Sequence, residues 1–169
     1  MQDKGYINLL VVIIFCFGLY CSCNIGPRFS VVPEITFIGV SNDSIVQGSL
    51  FSDSLFVTIS FRDGDGDLGS GTDGVFRNIV LIDNRTGDDF TQFKVPDLDL
   101  AGAMTGIEGQ ITLKLFTTCC LFPVEENIPP CSSPSAFPTN VLTLDIQMVD
   151  DSGNMSNVIT TSEITLFCD

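Results

Sequence analysis

Three segments of the chain alternate apolar and polar residues with a period of two, at 54–61, 110–116 and 141–149. Successive side chains of a β-strand point to opposite faces, so this alternation predicts strands with one apolar face and one solvated face. Sheets of that kind are antiparallel. The side chains expected to point into a core are Leu55, Val57, Ile59, Phe61, Ile111, Leu113, Leu115, Leu142, Leu144, Ile146 and Met148.

Four more strands are predicted at 34–40, 75–83, 89–95 and 157–167, with Gly, Asp, Asn and Pro residues between them. The 169 residues suit a single domain, and 44% hydrophobic residues are enough to fill its core. The sequence therefore predicts an all-β fold, an immunoglobulin-like antiparallel β-sandwich of about seven strands.

The N-terminal segment predicts an export signal. An apolar run from Leu9 to Leu19 follows a short polar stretch that contains Lys4. The run is shorter than the roughly 20 residues of a membrane-spanning helix, and it fits the apolar region of a secretory signal. It ends in cysteines instead of the small-residue site at which an ordinary signal peptide is cleaved.

This ending resembles a bacterial lipoprotein signal, in which a cysteine after a small residue is lipidated and becomes the first residue. Cys23 follows the small Ser22, whereas Cys16 and Cys21 follow large aromatic residues. The resemblance therefore implies lipidation at Cys23 and anchoring of the protein to a membrane. An uncleaved anchor helix and an ordinary signal peptide are the alternatives.

The same resemblance divides the chain into three parts. Residues 1–22 are the expected signal peptide, 23–33 a lipidated tether, and 34–169 the β-sandwich domain. Several acyl chains on one cysteine hold a protein stably on a membrane, because a single chain binds only marginally.

Two further segments resemble bacterial envelope proteins. "DDSGNMSN" resembles the D-x-x-G-N-x-S ending of bacterial immunoglobulin-like domains, matched by Asp150, Gly153, Asn154 and Ser156. "ISFRDGDGDLG" at 59–69 resembles a segment frequent in predicted lipoproteins of the Bacteroidota. The resemblance implies a lipid-anchored protein of the cell envelope. The run "NIGPRFS" after Cys23 has no acidic cluster of the kind that resembles a surface-export signal, so we expect the outer membrane, facing the periplasm, with cell-surface display as the alternative.

Four cysteines follow Cys23, and an even number in an exported domain favours disulfides. They are Cys119, Cys120, Cys131 and Cys168. A bond between the two adjacent cysteines would be strained, so we expect one bridge from Cys131 to Cys119 or Cys120 and one that reaches Cys168. A metal or redox site is the alternative, although the chain has no histidine and no C-x-x-C pair.

The segment "FRDGDGDLGSGTDG" at 61–74 contains four aspartates and five glycines. Asp63, Asp65 and Asp67 alternate, which in an extended backbone places their carboxylates on one side. Carboxylates this close repel one another unless a cation neutralises them. We therefore predict calcium as the cofactor, because it accepts about six to eight oxygen ligands in irregular geometry.

Three more acidic residues complete the predicted calcium site. Asp73 closes the same loop, and Asp150 and Asp151 belong to a loop expected at the same end of the sandwich. The segment is not an EF-hand, since Leu68 occupies the position that needs glycine. The alternative is a plain acidic turn, in which Arg62 neutralises part of the charge.

Composition argues against several classes of function. Without histidine the chain has no Ser-His-Asp or Cys-His catalytic unit, and its net charge of −14 argues against a nucleic acid partner. The chain has no tryptophan, and its two tyrosines lie in the predicted signal peptide, so the usual stacking residues of sugar sites are missing from the domain. We expect a non-catalytic structural or interaction domain. The alternative is a glycan-binding or substrate-capture module of an outer-membrane uptake system.

The connection at 119–140 is the predicted contact surface for a protein partner. It contains five of the eight prolines of the chain. Leu121, Phe122 and Phe137 are expected to be exposed there. The alternative is that these side chains fold back and cap the sandwich.

Overall fold

A computed structural model of the chain describes residues 29–48, 52–69, 77–95 and 106–169. The predicted signal peptide, the lipidation site Cys23 and the predicted ligand Asp73 lie outside these ranges. Within the described ranges, helical structure is confined to a 3₁₀ turn at Val124–Glu126. No helix of these residues is long and apolar enough to cross a membrane.

The described residues form ten strands. In chain order the strands are β1 (Glu34–Val40), β2 (Ser44–Val46), β3 (Ser54–Asp63), β4 (Ile79–Asp83), β5 (Asp89–Phe93), β6 (Ile107–Phe116), β7 (Thr139–Leu142), β8 (Leu144–Met148), β9 (Ile159–Thr160) and β10 (Ile164–Phe167).

One layer of the fold is the antiparallel sheet β1-β3-β6. Strands β3 and β6 pair over their full ten residues, from Ser54 opposite Phe116 to Asp63 opposite Ile107. Strand β1 runs along the other side of β3, with Glu34 opposite Arg62. The chain therefore enters the sandwich beside the end of β3.

The other layer combines the sheets β5-β4-β8-β9 and β2-β10-β7. Strands β7 and β8 are separated only by Thr143, and two hydrogen bonds between Leu144 and Thr161 span this break at 2.9 and 3.1 Å. Strand β2 pairs in parallel with β10, and the other pairings are antiparallel. A three-stranded sheet packed on a sheet of this order is the immunoglobulin-like sandwich that the sequence predicts.

The strand count is higher than the predicted seven. Each of the segments 141–149 and 157–167 is divided into two strands, and β2 has no counterpart among the predictions. At three residues, β2 is too short to show an alternating pattern, and its partner β10 is distant in sequence. Periodicity in the sequence therefore could not reveal it.

The core lies between the two layers and contains the residues that the alternation assigned to it. Ile111 is half-buried, and the other ten are buried. Phe56 breaks the alternation in β3 and lies on its solvated face, with 44% of its surface exposed. The all-β sandwich is thus confirmed both in its pairing and in its buried face.

Two disulfides lie at one end of the sandwich. Cys119 bonds to Cys131 and Cys120 to Cys168, with Cα–Cα distances of 4.6 and 5.9 Å. This is the expected pattern of one bridge within the 119–140 connection and one bridge to the last strand. The structure settles which of the two adjacent cysteines takes which partner.

The 119–140 connection is folded against the sandwich and protrudes less than predicted. Leu121, Phe122 and Phe137 are half-buried, which corrects the expectation that they are exposed. The rings of Phe122 and Phe137 pack together with their centroids 5.9 Å apart. Val124, 91% exposed, lies at the tip of this connection.

Arg85 holds this connection against the turn between β4 and β5. Its guanidinium forms an ion pair with Asp83 at 2.6 Å, and it donates to the Cys119 carbonyl and to Asn140 Oδ1 at 3.0 and 2.9 Å. Burial would raise the pKa of Asp83, but the hydrogen bonds and charge of Arg85 outweigh it and lower that pKa.

Candidate metal centre

Two acidic turns meet at the end of the sandwich opposite the disulfides. Asp63 is the last residue of β3, and Asp150 follows β8 by two residues. In an immunoglobulin-like sandwich the loops after the corresponding strands lie at the same end, so the topology brings these two carboxyls together. Both residues are fully buried, with 0% of their surface exposed.

Four carboxylates converge there, from Asp63, Asp65, Asp67 and Asp150. One oxygen of each lies within 4.8 Å of the corresponding oxygens of the other three. Asp65 is exposed and Asp67 half-buried, so the cluster is open to solvent on one side. Four of the six predicted metal ligands are therefore assembled in one place.

The other two predicted ligands are placed differently. Asp151 lies outside the group of four, and its Oδ1 accepts a hydrogen bond from Asn78 Nδ2 at 3.4 Å. The predicted ligand Asp73 falls outside the described residues.

The first acidic turn, 63–69, is shaped by its glycines and by one apolar anchor. Gly66 has φ of +71°, a left-handed conformation that turns the backbone between Asp65 and Asp67. Leu68 is 1% exposed and ties the turn to the core. Alternating aspartates on an anchored, sharply turned backbone point their carboxylates at a common centre.

The second acidic turn, 150–156, is held by hydrogen bonds to its own polar residues. Both carboxylate oxygens of Asp150 accept bonds from Asn154, at 2.7 Å from the backbone N–H and 2.8 Å from Nδ2. Ser156 Oγ accepts the Met148 N–H at 2.9 Å. These contacts give a structural role to the motif residues Asp150, Asn154 and Ser156.

A single side chain joins the two turns. Ser152 Oγ donates to Asp67 Oδ2 at 2.6 Å. Ser152 had no predicted role, because a serine in a polar turn carries no distinctive signal in the sequence. Its position within the D-x-x-G-N-x-S motif was the available clue.

Three buried oxygens of the cluster have no hydrogen-bond donor among the described residues. Both oxygens of Asp63 and Oδ1 of Asp67 are buried and unpartnered. Burial raises the pKa of the Asp63 carboxyl from its ordinary value of 3.8 to about 7, and the adjacent Asp65 carboxylate and the two other acids act in the same direction. Burial also raises the pKa of Asp67, although the bond from Ser152 lowers it in part.

This arrangement can hold a metal ion. Buried charges in proteins are normally paired or coordinate metals, and buried polar atoms are normally hydrogen-bonded. Among the described residues Asp63 has no cation and no N–H or O–H donor beside it, and the neighbouring Asp65 carboxyl can hydrogen-bond to it only when one of the two is protonated. A cation at the common centre would satisfy its oxygens and remove the repulsion among the four carboxylates.

A shallow groove of about 520 Å³ lies elsewhere, between the outer edges of β5 and β6. It combines aromatic rings with charged and hydroxyl side chains. Its lining includes Asp88, Asp89, Phe90, Phe93, Lys114 and Phe116. The Lys114 ammonium lies over the Phe116 ring, 4.9 Å from its centroid.

No protein-family model, curated protein or solved structure matches this chain.

Proposed function

We propose that this protein is a membrane-anchored, non-catalytic β-sandwich of a bacterial cell envelope, which binds calcium at its acidic end and presents its disulfide-bonded end to a protein partner. The main support for the calcium site is the buried Asp63 carboxylate. Both of its oxygens lack a hydrogen-bond partner among the described residues, and three more carboxylates lie beside it.

Calcium suits this cluster better than magnesium does, because four carboxylates converge here, whereas magnesium keeps several waters and usually takes only one or two carboxylates. Calcium–oxygen distances of about 2.3–2.6 Å place oxygens on opposite sides of the ion about 4.6–5.2 Å apart. The four carboxylates fit that span, since their ligand oxygens lie within 4.8 Å of one another.

The direction of the chain supports the proposed orientation on a membrane. Strand β1 begins opposite Arg62, so the N-terminal segment meets the sandwich at its acidic end. Six residues separate the proposed lipidation site Cys23 from Ser30, and the seven steps along the chain can span at most about 25 Å. A lipid on Cys23 would hold the acidic end near the membrane and leave the 119–140 connection at the far end.

Thermal unfolding with calcium and with a chelator tests the calcium site. A ligand that binds only the folded state at about 100 times its Kd stabilises that state by about 2.7 kcal/mol, which corresponds to a midpoint increase of roughly 10 °C. The substitution Asp65→Asn removes one exposed ligand without disturbing the core, and we expect it to abolish most of the increase.

Asp88→Asn is the matched control, because it removes the same charge from an exposed position. Asp88 follows the end of β4 that lies away from the carboxylate cluster. This substitution should leave the calcium response intact. An equal unfolding midpoint with calcium and with chelator in the unsubstituted protein would show that the acidic turns do not bind calcium.

The groove between β5 and β6 favours a second candidate function, the capture of a neutral glycan or similar polar solute. Phe116, 37% exposed, offers a ring for stacking, and the carboxylates of Asp88 and Asp89 offer acceptors for hydroxyl groups. Calorimetric titration with neutral oligosaccharides, compared between the unsubstituted protein and Phe116→Ala, tests this candidate. Heat that is unchanged by the substitution would exclude the groove as the binding site.

A further inference from the structure

The N-terminal segment 29–33 contacts the first acidic turn before the chain enters β1. The Gly64 N–H donates to the Ser30 carbonyl at 2.7 Å. The Arg62 guanidinium lies over the Phe29 ring, 5.6 Å from its centroid. Arg62 lies in β3 and Gly64 in the turn that follows it. Both contacts are therefore made by the part of the chain that leads into the cluster of carboxylates.

Gly64 permits this contact because it has no side chain. A Cβ at this position would overlap the carbonyl oxygens of Phe29 and Ser30. Gly64 is buried and lies between Asp63 and Asp65 in the chain. The same short backbone therefore carries two proposed calcium ligands and the N–H group that receives the N-terminal segment.

The position of Gly64 consequently depends on the state of the cluster. Four carboxylates without a cation repel one another, and repulsion between Asp63 and Asp65 acts directly on the residue between them. A cation at their centre draws these two carboxylates together and fixes the turn. The Gly64 N–H then points steadily at Ser30.

We propose that calcium at the acidic cluster docks the N-terminal segment 29–33 onto the sandwich, so that calcium controls how freely the domain moves on its membrane tether. This inference rests on the proposed calcium site. Coupling of this kind is reciprocal, so a docked segment also strengthens calcium binding, typically by a factor of about 5 to 150.

A tryptophan in place of Phe29 makes the docking visible. The chain has no tryptophan of its own, and an indole ring stacks on a guanidinium at least as well as a phenyl ring. In the full-length protein carrying Phe29→Trp, purified in detergent, calcium should reduce acrylamide quenching of the tryptophan several-fold. Half-saturation should occur at the calcium concentration that calorimetry gives for binding.

Two additional substitutions in the Phe29→Trp protein separate the causes. Asp150→Asn weakens the calcium site from the other turn, and quenching should then respond only at much higher calcium. Gly64→Ala keeps all four carboxylates and blocks the approach of Ser30, so the tryptophan should stay quenchable while calorimetry still detects calcium, bound more weakly.

The outcomes distinguish this inference from the proposed function. Calcium binding in calorimetry without a change in quenching overturns the docking and leaves the calcium site standing. Absence of calcium binding overturns the site itself. Amide hydrogen exchange at Val31 and Val32 in the unsubstituted protein checks the result without a fluorescent probe. We expect calcium to slow this exchange. Exchange rates that are equal with calcium and with chelator also overturn the docking.

Discussion

Asp63 is the residue at which local pattern and tertiary environment conflict. It ends β3, one of the two ten-residue strands among the described residues, at an inward-facing position, and it is fully buried there. A buried carboxylate that is neither paired nor hydrogen-bonded destabilises a fold, because it has lost its hydration without compensation. The end of β3, where such a residue lies beside three more acids, is therefore the candidate cation site, and the proposed calcium ion would compensate the buried charge.

The stability of the calcium-free protein should fall as pH rises from about 4 to about 7. Over this range the folded state retains a proton on Asp63, whose pKa is raised from 3.8 to about 7, while the unfolded state has released it. Stability decreases with pH wherever the folded state binds more protons than the unfolded state. Unfolding midpoints in chelator at a series of pH values measure this slope.

The matched comparison is Asp63→Asn, which removes the titrating group and should flatten the slope. Saturating calcium should also flatten it, since the ion replaces the proton on the carboxylate. A midpoint in chelator that rises steadily between pH 4 and 7 would contradict the raised pKa.

At the scale of single elements, the long connection between β6 and β7 is held by covalent bonds and by Arg85. Cys119–Cys131 closes a loop within the connection, and Cys120–Cys168 ties the connection to the end of β10. The Arg85 guanidinium bonds to residues on both sides of the connection, Cys119 and Asn140. A segment with few backbone ladder bonds thus keeps one conformation.

The two disulfides should contribute unequally to stability. The Cys120–Cys168 bridge spans 48 residues and Cys119–Cys131 spans 12, so in the chain-entropy description the first contributes about 4 kcal/mol and the second about 3 kcal/mol. Denaturant unfolding of the two double-alanine variants, each lacking one bridge, measures the difference.

Packing acts in the same direction as chain entropy. Cys120 and Cys168 are buried, whereas Cys131 is exposed, so loss of the longer bridge also affects the core. A larger loss of stability on removing Cys119–Cys131 would show that the connection, and not the last strand, limits stability.

At the scale of the whole molecule, the sandwich has two chemically different ends. Disulfides close the end from which the 119–140 connection emerges, and carboxylates converge at the end where the chain enters β1. The proposed lipid anchor belongs to the acidic end. On the proposed orientation, this difference between the ends leaves the distal connection free for the proposed protein partner.

Lipidation at Cys23 should be detectable by metabolic labelling with a fatty-acid probe. The unsubstituted protein is expected to carry the label, because Cys23 follows a small residue at the end of the apolar run. Cys23→Ser should lose the label, and Cys21→Ser should keep it. Equal labelling of the unsubstituted protein and Cys23→Ser would place the anchor elsewhere.

The sequence by itself determined the class of fold and the composition of its core. Alternation with a period of two is a local property, and β3 and β8 bury the residues that their own patterns indicate. The cysteine count likewise indicated two bridges. In both cases the information lies within a short segment or in a number of residues.

Only the tertiary structure decided which distant residues meet. Asp150 joins Asp63, Asp65 and Asp67 while its neighbour Asp151 bonds to Asn78, and Ser152 links the two turns. Three more contacts were also decided only by the tertiary structure: the pairing of β2 with β10, the bond between Cys120 and Cys168, and the contact of Ser30 with Gly64. Each depends on the packing of two layers, because contacts between segments far apart in the chain leave no periodic signal in either segment.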